Sequence, residues 1–569
     1  MGARLATAAL VLAALAGVAG FGLAEADADT HGRHMEMSHA KGGKAGEAIV
    51  PPQLRDVNRL LAAAAPRRGV LVALERGRGG EGIVRAAGGV LLSRSLALWR
   101  VRASSAPPAL RALRARSALR YAELDAVSAR PETHWQQGDH LLNDQAELDT
   151  IRADVEPPGP GVPLTVIDTG LDVTHPEFAG RPNTLLLNQQ SVPAEEGEDH
   201  GTAVASVAAA PANGWGMVGV YPNARLHSYD WPDDTCSGAV RALTAARRAA
   251  PTGVINASWS FPAGSCFALR DAVAETFGAG SVIVASAGNQ GEKGNPKRDP
   301  AVLKHVLTVA ATDVDDQPLA FSNRNLAVDL AAPGHNILVA IPAWFTSSRY
   351  TSLFDFKDGT SFSAPMVAAA AAWVWTVRPD LDRTQVFNVM RYSARDVYNA
   401  GFDLQTGFGM LNIAAALAEN APIVDPREPN DDIYQVKANG LFATADAPLT
   451  KPGRGQARIR ALVDVTEDPI DVYRAWVPGR SKVTIRLNPE GGDVDLEVFR
   501  RTAKTVHYQS RKRALRGPLI DYSDRAKGRT EQIGLTNDGR AGEFVYIVAY
   551  LPEDGPLDGS YALTISTRR

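Results

Sequence analysis

The sequence predicts an α/β protein: a parallel sheet flanked by helices, preceded by a small α+β unit and followed by a β-sandwich. Three observations predict it. Residues 132–424 alternate apolar strand runs with helical stretches, the pattern of a parallel sheet covered by helices. Residues 67–131 compress a β-α-β-β-α-β pattern into a short basic segment. Over 425–569 helical periodicity gives way to short alternating runs, which suits two packed antiparallel sheets. At 569 residues the chain is too long for one core, and length alone suggests about three or four domains.

Met1-Gly2-Ala3-Arg4 and the Ala/Leu/Val run to about Leu23 read as a secretory signal over 1–24, with small residues at the cut. An uncut membrane anchor is the alternative. No other apolar run reaches the roughly 18 residues of a span, so a secreted, extracellular protein is expected. Residues 25–66 read as a linker whose His/Met patch (His31, His34, Met35, Met37, His39) is solvated chain rather than a soft-metal site.

Within 67–131, residues 70–74 read as a strand and 81–87 as a short helix; Gly88-Gly89 is a break, and 97–101 alternates as a strand. Pro107-Pro108 opens an amphipathic helix with Leu110, Leu113 and Leu119 on or near one face, and 121–127 closes the unit. That order gives a ferredoxin-like sandwich. Arg67 to Arg130 holds 13 Arg, no Lys and 4 acidic residues, a net of +9 against −3 for the whole chain. A basic unit followed by an acidic remainder favours docking on an acidic protein surface. A nucleic-acid partner is the rival reading, and the net charge gives it no support.

In the middle region the strand runs are 164–167, 225–229, 253–256, 281–285 and 307–310, and Asp168 and Asn289 fall at carboxyl ends, where loops of parallel sheets carry chemistry. After the solvated link Arg427-Glu428-Pro429-Asn430-Asp431-Asp432, the alternating runs are 472–476, 483–487, 494–499, 544–549 and 561–566. Cys236 and Cys266 are the two cysteines. Paired in an oxidising compartment they would contribute roughly 3 kcal/mol; two buried thiols are the alternative.

Three separated stretches carry chemistry: Val166-Ile167-Asp168-Thr169-Gly170, Asp199-His200-Gly201-Thr202 and Gly359-Thr360-Ser361-Phe362-Ser363-Ala364-Pro365. They supply a carboxylate, an imidazole and a hydroxyl, the groups needed for nucleophilic attack on an acyl carbon. Taken singly, each has a plain reading: a turn Asp, a helix-start His, a Ser N-cap. Taken together, in the order Asp, His, Ser, they resemble the subtilisin-like serine proteases (subtilases, peptidase S8). The extension Gly170-Leu171-Asp172-Val173-Thr174-His175-Pro176 resembles that pattern too, with His175 structural; Ala203 stands where many members carry a second His.

The resemblance implies a subtilisin-like fold and a secreted serine endopeptidase made as a self-cleaved zymogen, with processing near residues 131–140. It implies catalytic Asp168, His200 and Ser361, with Asn289 of Ser286-Ala287-Gly288-Asn289 as an oxyanion donor. Ser258, Trp259 and Ser260 would form one wall of the specificity pocket, and Ser286, Ala287 and Gly288 the other. The floor would lie near Lys297-Arg298, where a cation favours acidic side chains over the usual large apolar ones. Residues 67–131 resemble the family's inhibitory propeptide. Glu428-Pro429-Asn430-Asp431, Asp493-Val494-Asp495-Leu496 and the run Tyr561-Ala562-Leu563-Thr564-Ile565 resemble prepeptidase C-terminal domains.

No cofactor is needed for the chemistry. Structural calcium is expected without an assigned site, Asp493 and Asp495 being the candidates in the sandwich. The expected partners are protein or peptide substrates and the chain's own propeptide, with no nucleic acid, no stable membrane association after signal removal, and a monomeric state. The rival is an inert protease domain carrying an adhesive sandwich. It would show as a missing triad or oxyanion residue, and none is missing. A dedicated maturation protease with one substrate is a further reading of the same residues.

Overall fold

The computed structural model describes residues 69–102, 105–124, 134–136, 145–153, 155–190, 199–213, 216–231, 233–342, 353–441, 447–508, 510–525, 528–552 and 557–568. The expected signal segment, linker and most of the expected processing segment lie outside these residues. The described residues fall into two compact units, divided between Pro422 and Ile423.

The first unit opens with β1 (Gly69–Leu74), α1 (Glu81–Ala86), β2 (Val90–Ser93), β3 (Leu98–Arg102), α2 (Ala106–Ala115) and β4 (Leu119–Leu124). The four strands form an antiparallel sheet in the order β2-β3-β1-β4. Leu110 and Leu113 of α2 are buried. Leu119 is not on that helix: α2 ends at Ala115, Ser117 takes a positive φ of 50°, and Leu119 pairs with Leu74. The left-handed residue ends the helical periodicity before Leu119 is reached.

The short segments β5 (His134–Gln136) and α3 (Ala146–Thr150) lead into the main sheet. Its strands are β6 (Leu164–Asp168), β7 (Thr184–Leu186), β8 (Leu226–Asp230), β9 (Val254–Ala257), β11 (Val282–Ser286), β13 (Val306–Thr312) and β14 (Leu330–Pro333). They run parallel in the order β14-β13-β11-β9-β6-β8-β7. Every residue of β6, β9, β11 and β13 is buried, because helices cover both faces and neither face can be polar. Those helices include α4 (His200–Ala209), α5 (Cys236–Ala249) and α6 (Phe267–Ala279). Cys236 opens α5 and Cys266 caps α6, and a disulfide joins them with Cα atoms 5.9 Å apart.

Two small sheets complete this unit. The pair β10 (Phe261–Pro262) and β12 (Arg298–Asp299) is antiparallel. β15 (Ile337–Ala340), β16 (Phe354–Asp358) and β5 form a three-stranded sheet, in which His134 pairs with Asp358. From β16 the chain passes directly into α7 (Thr360–Val377). This helix is apolar all round and lies inside the core with Trp373, Val374 and Met366 buried, as an apolar helix in a large domain must.

The second unit holds two four-stranded antiparallel sheets. β17 (Ala457–Asp464), β24 (Asp558–Arg568), β19 (Ser481–Gly491) and β22 (Glu531–Asn537) form one; β18 (Ile470–Val477), β23 (Glu543–Tyr550), β20 (Asp495–Arg500) and β21 (Leu519–Ser523) form the other. Ile485, Leu487, Leu496, Ile547 and Leu563 are fully buried in one cluster drawn from both sheets. Strands β17, β21 and β22 fall outside the five expected runs, although β17 and β22 do alternate buried and exposed residues.

Candidate active site

β6 ends on Asp168, buried at the carboxyl edge of the sheet. Its Oδ1 accepts the Thr169 N–H at 2.8 Å and the His200 Nδ1–H at 2.8 Å. A carboxylate only accepts, so Nδ1 of His200 carries the proton, and Nε2 is the nitrogen that holds the lone pair whenever the ring has a single proton. Nε2 is buried and has no hydrogen-bond partner among the described residues. His200 is the first residue of α4. Next to it Gly201 packs so closely that a Cβ would stand 2.2 Å from the Gly170 carbonyl, which makes glycine obligatory there.

Ser361 is the second residue of α7, and the cap is Gly359 with a φ of 149°. The Ser N-cap reading therefore does not apply. Phe362 places its ring 5.7 Å from the His200 ring, so the first turn of α7 packs against the imidazole. The Ser361 hydroxyl donates to the Ser258 carbonyl at 3.5 Å rather than to His200. Such bonds are commonly loose without substrate, and one rotamer change of a serine redirects its Oγ.

Ser258 answers a defect built into α7. Pro365 stands four residues after Ser361 and has no N–H to give the Ser361 carbonyl. Ser258 Oγ donates to that carbonyl at 2.9 Å instead. Asn289 is held from the other side: its Oδ1 accepts from Thr360 N at 3.0 Å and Thr360 Oγ1 at 2.8 Å. Thr360 Oγ1 also accepts the Gly288 N–H at 3.2 Å. The Nδ2 end of Asn289 lies toward Gly359, where a Cβ would meet it at 3.2 Å.

Of the expected pocket residues, Ser258 thus touches Ser361, and Gly288 is tied to Thr360. Ser286 ends β11 and Ala287 donates to the Val309 carbonyl, both buried. Trp259 packs edge-on to Trp231 at 4.6 Å and to Phe261 at 6.0 Å. Ser260 accepts from Arg298 Nε at 3.1 Å. The expected floor pair divides: Arg298 is buried and Lys297 exposed, because consecutive side chains of an extended chain point to opposite sides.

His175 is buried, with Nδ1 accepting from Glu177 N and Nε2 3.1 Å from the Leu353 carbonyl. Burial pulls its pKa down, consistent with a neutral structural ring. Sequence reading missed a further pair: Lys357 Nζ lies 2.7 Å from Asp199 Oδ2, both side chains fully buried. Asp199 precedes His200 and Lys357 is four residues before Ser361, so one ion pair joins the two segments that carry His200 and Ser361. Only the unusual lysine within β16, otherwise a buried strand, hinted at it.

The second unit holds a different cluster. Asp425, Glu428, Asp468 and Asp471 are all buried, and one oxygen from each lies within 4.8 Å of the others. Burial, then mutual repulsion, pushes Asp425, Glu428 and Asp468 well above the usual carboxylate range. Among the described residues, neither carboxylate oxygen of Asp468 has a hydrogen-bond partner. Asp493 and Asp495 are not members of the cluster.

Residues 159–409 match the profile of the Subtilase family, peptidase S8. Subtilisin DY of Bacillus licheniformis is 33% identical over 263 residues, which cover 45% of this chain and 91% of that protein. The chain belongs to the subtilase family. It is a serine-type endopeptidase, a hydrolase acting on protein substrates. Subtilisin E of Bacillus subtilis (strain 168) is 31% identical over 263 residues, 45% of this chain and 66% of that protein. The solved structure of fervidolysin from Fervidobacterium pennivorans shares the fold, with a TM-score of 0.55 at 18% identity over 82% of this chain and 85% of that one. The family match covers the parallel-sheet region, leaving the N-terminal antiparallel unit and the sandwich outside it.

Proposed function

We propose that this subtilase is an exported endopeptidase, made as a zymogen, that cleaves peptide bonds through Asp168, His200 and Ser361. The observation that carries the reading is the buried 2.8 Å bond from His200 Nδ1 to Asp168, beside a hydroxyl on the adjoining helix turn. Ser361 attacks the scissile carbonyl, and His200 Nε2 takes its proton and passes it to the leaving amine. Asp168 holds the tautomer and stabilises the imidazolium. The oxyanion is met by the Ser361 N–H and the Asn289 amide; loss of such a donor costs roughly 3 kcal/mol of barrier. Water then resolves the acyl-enzyme.

In the same reading the N-terminal antiparallel unit is the inhibitory propeptide. Its Arg120 reaches Asp271 of α6 at 3.0 Å, with Asp271 buried, in keeping with a basic unit seated on acidic helices. A fluorophosphonate probe should label the processed protein at Ser361 and fail on Ser361→Ala and His200→Ala. Absence of labelling on the processed wild type would overturn the reading.

The sandwich is proposed as a prepeptidase C-terminal-like domain stabilised by calcium. Four carboxylates at this spacing, with Asp468 otherwise unsatisfied, are a hard oxygen set suited to that ion. Asp425, Glu428, Asp468 and Asp471 would hold it, and the ion would supply the positive charge that buried carboxylates require. Chelation is expected to lower the thermal midpoint of the second unit, and Asp468→Asn to remove the calcium dependence. A midpoint indifferent to chelator would refute the site.

A further inference from the structure

We propose that Lys357 is a positioning residue for catalysis: acting through Asp199, it fixes where the start of α4, and with it His200, stands against the strand that delivers Ser361. The proposal rests on the triad reading and adds a residue to it. Lys357 Nζ lies 2.7 Å from Asp199 Oδ2, the length of a charge-assisted hydrogen bond, which sets direction as well as distance. Both side chains are buried. Asp199 precedes α4, whose first residue is His200. Lys357 is the last but one residue of β16, and Gly359 and α7 follow directly. A second tie lies further along the same helix: Ser206 Oγ accepts the Ala340 N–H of β15 at 2.9 Å, and β15 pairs with β16. Asp199 and Ser206 are seven positions apart, about two helical turns, and so share one face. That face is fastened to the small sheet at two levels, and the ion pair is the fastening next to His200.

An apolar pair of the same volume would often be as stable, so what buried ions add is a fixed register. The pair also balances charge near the imidazole. Asp168 of β6 faces the ring at 2.8 Å. The helix α4 packs against α7, β15 and β6; α7 and β15 hold no ionisable residue, and α4 holds none besides His200. The loop after β6 adds Asp172, whose carboxylate accepts from Thr174. In β16, Asp358 is bonded by His335 Nδ1 at 2.9 Å and the Asn336 N–H at 2.7 Å, and Asp355 accepts the Phe356 N–H at 2.8 Å. Lys357 offsets the Asp199 charge one residue from His200, which leaves Asp168 to govern the ring.

The test measures kcat and KM separately with a fluorogenic peptide, on enzyme processed from the full chain. Active sites are counted by fluorophosphonate titration, so unfolded protein does not enter the rate. Lys357→Met should lower kcat about tenfold to a hundredfold, the cost of a misplaced group, while KM stays within about twofold. It should also raise the pH of half activity on the acid limb by about half a unit or more, since a lone Asp199 carboxylate favours the imidazolium. Asp199→Asn should move that limb the other way. The double variant should return the limb to its wild-type place while kcat stays low, and Lys357→Arg should recover most of the rate lost in Lys357→Met. Wild-type kcat per active site in Lys357→Met, or an acid limb that neither single variant moves, would overturn the proposal. If Lys357→Met yields no folded enzyme, the double variant decides, because it buries no lone charge: wild-type kcat there overturns the proposal. Failure of the triad reading looks different, because Ser361 of the wild type then takes no label.

Discussion

At the scale of single residues, Ser258 and Glu177 show how local defects are handled. Pro365 strips the Ser361 carbonyl of its helical donor, and the Ser258 hydroxyl replaces it at 2.9 Å. Ser258→Ala, measured by denaturant unfolding in a Ser361→Ala background that prevents self-digestion, should lose about 1–3 kcal/mol, the cost of an unsatisfied buried group. Glu177 gives one oxygen to the Met217 N–H at 2.6 Å, while the other has no partner among the described residues. Burial lifts its pKa to about 7, so the folded state holds a proton that the unfolded state releases above pH 4.5. Stability from this group is therefore complete at low pH and is lost as pH rises through 7. Glu177→Gln should raise the thermal midpoint at pH 8 and leave it unchanged near pH 4; an equal gain at both would refute the assignment.

At the scale of elements, His200 and Ser361 sit in the first turns of α4 and α7, and the two helix starts meet through the His200 and Phe362 rings, 5.7 Å apart. The buried pair Asp199–Lys357 links the start of α4 to the strand that feeds α7. Removing one partner strands the other charge in the interior. Lys357→Met should cost about 3–5 kcal/mol by denaturant unfolding, and Asp199→Asn added to it should recover most of the loss. Additive losses in the double variant would show that the two charges do not act as a pair. The main strands and the helices after Asp199 and Gly359 were legible because long apolar runs and glycine-bounded motifs are local signals. Leu119 was misread as part of the helix: nine positions after Leu110 falls on about the opposite face, and the left-handed Ser117 ends the helix before it.

At the scale of the whole molecule, the basic character of 67–131 takes a specific form in the Arg120–Asp271 contact. If the N-terminal unit inhibits, Arg120→Glu should weaken its hold by roughly thirtyfold or more, the cost of breaking a buried charge pair. The check is the lag between self-cleavage and appearance of peptidase activity, which should shorten in the variant. A lag that does not change would separate inhibition from this ion pair.

Sequence by itself determined the family, because Asp168, His200, Ser361 and Asn289, the residues proposed above for the chemistry, each sit in a short motif readable without neighbours. It also gave the order of elements along the small antiparallel unit and the change of texture after Val424. Tertiary structure alone decided which distant residues meet. Asp199 and Lys357 are 158 positions apart, Ser258 and Ser361 are 103 apart, and four carboxylates of the second unit converge from two segments. Such meetings follow from how strands are ordered and helices packed, which makes them properties of the folded chain rather than of any stretch of it.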